Sequence, residues 1–236
     1  MEQANHNNML LDTLLKMGKL SNYNHHIFKK IKPYLGRHIL EVGAGIGNIT
    51  KYLLAAEIVV ATDISEDNIR YLRNNFQNNP NVVVMKKDIV DSNQEELKKY
   101  KFDTIVCLNL LEHIEDDRKA LRNIAALMNE ESIFVVLVPA MLVLKGSLDD
   151  ALGHFRRYKK SDFLNLLQEA GFVTEKIEYF NAWGALGWFL NSRVFKKKSF
   201  SLTQARFFDS FYWLFSLENY CKMPLGISLF AVCRRK

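Results

Sequence analysis

Short apolar runs alternating with stretches of helical spacing constrain this chain more than any other feature. His38–Val42, Ile58–Thr62, Val82–Met85, Phe102–Leu108 and Ile133–Val138 read as strands, joined later by Phe172–Phe180 and Ile227–Cys233. Between them the spacing predicts helices over about Ile46–Ala55, from a Ser65 cap to Phe76, over Asn93–Tyr100, Ile114–Met128 and Ser161–Ala170. Such alternation yields an α/β fold: a doubly wound, Rossmann-like, mostly parallel sheet of seven strands with helices on both faces. Two regions fall outside the alternation, an N-terminal helical stretch (about Asn8–Tyr34) and an aromatic insertion before the last strand. Appendages of this kind commonly roof the crevice at the carboxyl ends of the strands.

Composition narrows the class. A chain of 236 residues buries enough surface to fold without disulfides or structural metal. Cys107, Cys221 and Cys233 are odd in number, widely spaced and lack a CxxC pair, which disfavours a secreted disulfide scaffold and a zinc ribbon. The longest apolar run, Ile133–Leu144, has 12 residues with Pro139 inside it, too short for a membrane span. The polar N-terminus does not read as a signal peptide, so a cytoplasmic location is expected. Net charge is +6, and its distribution is uneven. From residue 181 onward nine Lys/Arg face only Asp209 and Glu218, whereas the first 180 residues carry about one net negative charge. No whole-surface nucleic-acid binding is expected from that pattern.

The most informative segment is Leu40-Glu41-Val42-Gly43-Ala44-Gly45-Ile46-Gly47-Asn48, a strand entering a glycine-rich turn. The third glycine comes one residue too early for G-x-G-x-x-G, and no Gly-Lys-Ser/Thr follows. Glu41 would repel a diphosphate and suits a cation such as an ammonium or sulfonium. Asp63, closing the second strand, is placed to accept ribose hydroxyls. Asp88 and Ile89 follow the third strand, where an acid and an apolar residue can bracket adenine. A ligand joining ammonium, positive sulfur, ribose and adenine is S-adenosylmethionine.

In ILEVGAGIG, ATDIS, the Asp88 step and FDTIV leading to Asn109-Leu110-Leu111-Glu112-His113, the chain resembles the class I S-adenosylmethionine-dependent methyltransferases, in the group with type 11/12 methyltransferase domains. The likeness is good over residues 38–139. It implies that Glu41, Gly43 and Gly45 meet the methionyl end and that Asp63, with Ile64 beside it, meets the ribose. It further implies that Asp88 and Ile89 meet the adenine, and Asn109 with Leu110 the region beside the sulfonium. Tyr23-Asn24 looks like the start of a segment that covers the cofactor, although a plain core tyrosine fits as well. The resemblance implies one domain over residues 1–236: an N-terminal cover (1–35), a cofactor-binding core (36–180), a helical lid or insertion (181–224) and a final strand (225–236).

Methyl transfer from a sulfonium needs chiefly alignment and exclusion of water, but an oxygen acceptor must also lose a proton. His113 and His154 are the candidate catalytic residues, His113 weighing more as pocket wall and His154 as base. Gly153-His154-Phe155-Arg156-Arg157-Tyr158 resembles a G-H-x-R-R-Y element bordering the site in bacterial members of the group. A structural histidine with surface arginines is the alternative. Arg156, Arg157 and Tyr158 are candidate acceptor-binding residues, the arginines for an anionic group. No metal is expected, since Asn109 stands where metal-dependent O-methyltransferases place an acid, and His25-His26 point different ways on a helix.

The insertion carries Trp183, Trp188, Phe189, Phe195, Phe200, Phe207, Phe208, Phe211, Tyr212, Trp213 and Phe215 around Lys196-Lys197-Lys198. It reads as a packed helical core, as an apolar roof over a hydrophobic acceptor, or as an interfacial helix giving peripheral membrane contact. The expected activity is methylation of a small or lipophilic metabolite, at a hydroxyl or carboxylate oxygen, by a monomer or homodimer. An RNA or protein methyltransferase, a catalytically inactive binding subunit and a nicotinamide oxidoreductase are the rivals. Against the first, no Asn/Asp-Pro-Pro-Phe/Tyr element is present.

Overall fold

The computed structural model describes residues 2–197, 201–211 and 224–236, together with the side chains of residues 9 onward except those of Leu186 and Phe208. Lys198, Phe200, Tyr212, Trp213, Phe215 and Cys221 therefore lie outside the described residues.

Seven strands form one sheet: β1 (His38–Val42), β2 (Ile58–Asp63), β3 (Val82–Lys86), β4 (Thr104–Leu108), β5 (Ile133–Pro139), β6 (Phe172–Phe180) and β7 (Ser228–Arg235). Their order is β3-β2-β1-β4-β5-β7-β6. β7 runs antiparallel to both neighbours, and the β1, β2, β3, β4 and β5 pairings are parallel. The helices are α1 (Glu2–Gly18), α2 (Ser21–Ile31), α3 (Glu66–Phe76), α4 (Glu95–Lys98), α5 (Asp117–Leu127), α6 (Ser147–Ala151), α7 (Lys160–Glu169), α8 (Ala182–Phe189) and α9 (Leu202–Ser210).

β5 shows why its sequence is almost uninterruptedly apolar. Phe134, Val136 and Val138 pack on one face with Leu121 and Ile124 of α5 and Phe163 and Leu167 of α7. Val135 and Leu137 pack on the other with Ile27 and Ile31 of α2. A central strand covered on both sides has no polar face to alternate. The strand order reverses between β1 and β4, the place in an open α/β sheet where ligand crevices form at the carboxyl ends of the strands.

Two expectations need correction. The predicted helix over Ile46–Ala55 is instead a series of turns with one 3₁₀ turn, Thr50–Tyr52. Gly43, Gly45 and Gly47 all have positive φ (72°, 58° and 89°), a path no right-handed helix can follow. The crevice therefore lacks the helix N-terminus that the glycine pattern suggested. Ser161 is not a cap either. The bridge between Ala140 and Tyr158 fixes the chain up to that point, α7 starts at Lys160, and the Ser161 hydroxyl donates to Asp162 (2.8 Å). Ser65 does cap α3, accepting from the Asn68 amide, and Gly171 (φ +93°) follows the end of α7.

Candidate active site

The glycine turn is held by two buried carboxylates. Glu41, on β1, accepts a hydrogen bond from the Thr50 hydroxyl (2.6 Å). Burial pushes its pKa up to about 7, against the pull of that bond and with the nearby Asp63 charge adding to the rise. Asp63, at the end of β2, accepts from the Gly45 amide (2.9 Å), the Ser65 amide (2.9 Å) and the Asn68 side-chain amide (3.1 Å). Burial raises its pKa as well, and those donors oppose the rise. An ionised carboxylate offers about four acceptor sites, so Asp63 holds the turn in shape with limited capacity to spare.

A side chain at Gly43 would put its Cβ 2.8 Å from Leu110, which leaves β4 over the turn, and one at Gly45 would stand 3.3 Å from Leu14 of α1. The backbone is thus laid bare to neighbouring groups at two points. α1 closes over the turn, with the Asn48 side chain donating to the Leu14 carbonyl (2.9 Å). Ile64 is 61% exposed at the rim, whereas Ile89 is buried. Asp88 is half-buried and accepts from the Val90 amide (2.8 Å). Asn109 is exposed in a left-handed conformation (φ +51°), its amide tied to the Leu137 carbonyl (2.8 Å).

A second cluster lies where β4 and the loop after α6 converge. Phe155 donates its amide to the Glu112 carbonyl (2.8 Å), which brings His154 against the Leu111–His113 turn. The rings of His113 and His154 meet edge to face at 4.7 Å. One carboxylate, Asp149 of α6, organises the surroundings. It accepts from His154 Nδ1 (2.9 Å), Arg157 Nε (2.7 Å), the Gly146 amide (3.1 Å) and Trp188 Nε1 (3.3 Å). Burial favours its protonation, but the His154 bond and the Arg157 charge prevail and hold it below the usual carboxylate range. An ionised carboxylate can only accept, so His154 donates its Nδ1–H to Asp149, which fixes the ring with Nε2 on the opposite edge. Glu112, in contrast, is pushed up to about 8 by burial, with Arg157 opposing the rise.

The three candidate acceptor residues belong to internal networks. Arg157 is buried, bonded to Asp149 and the Ala140 carbonyl (2.8 Å), with its guanidinium 4.8 Å from the Trp188 ring. Arg156 pairs with Asp117 (2.7 Å) and the Glu115 carbonyl (2.7 Å). The Tyr158 hydroxyl donates to the same Asp117 (2.8 Å). His26 is buried against Phe180, whereas its neighbour His25 meets Phe28 and Tyr52.

The insertion is packed and also encloses space. Asp209 of α9 accepts from the Asn22 and Tyr23 amides (3.3 and 2.8 Å), capping α2, whose own N-cap residue, Leu20, makes no side-chain cap bond. The Ser147 hydroxyl donates to the Ser192 and Lys197 carbonyls (3.0 and 2.6 Å). Between α1, α2, α8 and α9 lies a cavity of about 390 Å³ lined by Met17, Leu20, Tyr23, Trp183, Trp188 and Phe207 among others. Trp188, which donates to Asp149, links this cavity to the second cluster, and burial first, then the Glu112 charge, pushes the Tyr23 phenol up to about 12.

Asp149 was not singled out from sequence, and Trp188 and Asp209 were named there only among the insertion's aromatics and charges, with no place in the site. An acid five positions before His154 is the only local signal for Asp149. Nothing local marks Asp209, because its partners lie 186 and 187 positions away.

Residues 40–134 match the family model of a methyltransferase domain. The sheet and its flanking helices have the Rossmann-like fold of solved S-adenosylmethionine-dependent methyltransferases. It is 34% identical over 95 residues to a ubiquinone biosynthesis O-methyltransferase of Coxiella burnetii, covering 39% of each chain. It is 24% identical over 151 residues to a probable S-adenosylmethionine-dependent methyltransferase of Mycobacterium tuberculosis, covering 62% of this chain and 53% of that one. The chain thus spans between two fifths and about half the length of these relatives. Among solved structures, the magnesium protoporphyrin IX methyltransferase of Synechocystis, crystallised with S-adenosylhomocysteine, shares the fold at a TM-score of 0.56. The two are 16% identical, with 95% of this chain and 86% of that one covered. Among the described residues no helix is long and apolar enough to cross a membrane.

Proposed function

We propose that the protein transfers a methyl group from S-adenosylmethionine to an oxygen of a small, lipophilic acceptor. The observation that carries this reading is the pair Glu41 and Asp63, two acids buried at adjacent strand ends and both raised in pKa. Such a pair is stabilised by a cationic ligand and opposes a diphosphate. In this reading Glu41, Gly43 and Gly45 face the methionyl end, Asp63 and Ile64 the ribose, Asp88 and Ile89 the adenine, and Asn109 and Leu110 the sulfur. When bound, the cofactor supplies a methyl on a positive sulfur, which keeps the electron pair of the broken S–C bond and leaves as a neutral thioether. The chain aligns the acceptor oxygen in line with that bond, excludes water and takes the hydroxyl proton as the O–C bond forms. Proton removal is assigned to the cluster of Glu112, His113 and His154, with Asp149 orienting His154.

The cavity lined by α8 and α9 suits the apolar body of the acceptor, and those two helices act as its lid. The Coxiella relative, an O-methyltransferase of ubiquinone biosynthesis, supports a lipophilic oxygen acceptor. Calorimetric titration with S-adenosylmethionine tests the reading: saturable binding is expected, and none at millimolar ligand would end it. Turnover of hydroxylated apolar aromatics then tests the acceptor class.

A further inference from the structure

We propose that Glu112, His113 and His154 form a binding site for a divalent transition ion of the Zn²⁺ or Mn²⁺ kind. One ligand atom from each of the three lies within 4.8 Å of the others. Glu112 is only 1% exposed, yet its Oε2 has no hydrogen-bond partner among the described residues. A buried carboxylate oxygen left without a partner costs on the order of 1–3 kcal/mol or more, and a bound cation removes that cost. His154 is prepared as a ligand: Asp149 holds Nδ1, fixing the ring and its tautomer with Nε2 outward, the outer-shell arrangement that metal-bound histidines use. Backbone bonds from Phe155 to Glu112 and from His154 to Asp149 (2.8 and 2.9 Å) keep the donors together without the ion.

The donor set decides the ion class. Two imidazoles and one carboxylate favour borderline ions over Mg²⁺ or Ca²⁺, and three protein ligands leave coordination positions open. The Arg157 charge acts on Glu112 as well, but its hydrogen bonds go to Asp149 (2.7 Å) and the Ala140 carbonyl (2.8 Å) and leave Glu112 Oε2 without a donor. The site is tied to the cavity by Trp188, which lines it and donates to Asp149 (3.3 Å), the partner of His154. On the methyl-transfer reading, on which this role rests, an acceptor hydroxyl would enter an open position and, with the three side chains committed to the ion, would give its proton to solvent water; its oxygen would then take the methyl carbon as the electron pair of the S–C bond returns to sulfur. This revises the expectation that the site needs no metal.

The test is calorimetric titration of the chelator-stripped full chain with ZnCl₂ and MnCl₂, beside separate titration with S-adenosylmethionine. One site per chain is expected, with affinity falling at least tenfold in Glu112→Gln and in His154→Ala. Cobalt(II) added to the wild-type protein should give visible d–d bands that zinc abolishes, a readout that survives if a variant fails to fold. No binding by the wild type, or equal binding by both folded variants, overturns the site and leaves an adventitious ion only. Metal failure with intact S-adenosylmethionine binding leaves the methyl-transfer reading standing. Metal binding without S-adenosylmethionine binding keeps the site and removes its proposed role.

Discussion

Around the glycine turn, Glu41 and Asp63 are placed by the register of β1 on β2, with Glu41 opposite Ala61 and Asp63 one step beyond the last pair. Across the crevice, Glu112 and His113 meet Asp149, His154 and Arg157 through a loop-to-loop bond and a single shared carboxylate. In the first half the sheet itself places the two acids, so losing Glu41 should cost ligand affinity more than fold stability. The second half depends on Asp149: remove it and a buried guanidinium loses its counter-ion while an indole and an imidazole each lose one hydrogen bond.

Asp149→Ala should therefore have the largest effect, about 3–5 kcal/mol in urea unfolding, because Arg157 is left buried and unpaired. Wild-type stability in that variant would break the contrast between the halves. His154→Ala should lower turnover roughly a hundredfold or more while leaving the S-adenosylmethionine affinity close to wild type. Equal losses in both would mean that the two halves are not separable.

Glu41 tests the turn side. Its pKa lies near 7 in the fold against 4.5 ordinarily, so the protonated form is favoured by folding. The stability it contributes is present below about pH 4.5 and is lost as pH rises through about 7. A cationic cofactor needs the ionised form, so its affinity should rise about tenfold between pH 6 and 8. Calorimetry across that range checks this, and Glu41→Gln should abolish the slope along with most of the affinity. The smallest effect belongs to the insertion. Asp209→Ala removes the cap that α9 lends to α2 and should cost about 1 kcal/mol, with a raised KM for apolar acceptors and little change in kcat.

The sheet was legible in the sequence because strand ends and carboxylates sit at local, periodic positions. β6 occupies Phe172–Phe180 as its alternation predicts, and α3 runs from its Ser65 cap to Phe76. The turn after Gly43 misled, since an apolar pattern over Ile46–Ala55 fits a helix until Gly47, the one of the three alternating positive-φ glycines inside that span, forbids it at its start. Arg156, Arg157 and Tyr158 looked like free acceptor ligands for a related reason: nothing in their spacing shows that Asp117 and Asp149 await them.

Local periodicity and residue chemistry thus determined the layered α/β fold, the glycine turn and the acids flanking it, because each is a matter of neighbours a few positions apart or of one strand beside another. The proton on His154 Nδ1, the orphaned oxygen of Glu112, the cap that Asp209 places on a distant helix and the apolar cavity beneath it were decided only in the folded chain. Each depends on which buried groups are brought within about 3 Å of one another across loops, and hydrogen bonds at that range carry no trace in sequence spacing.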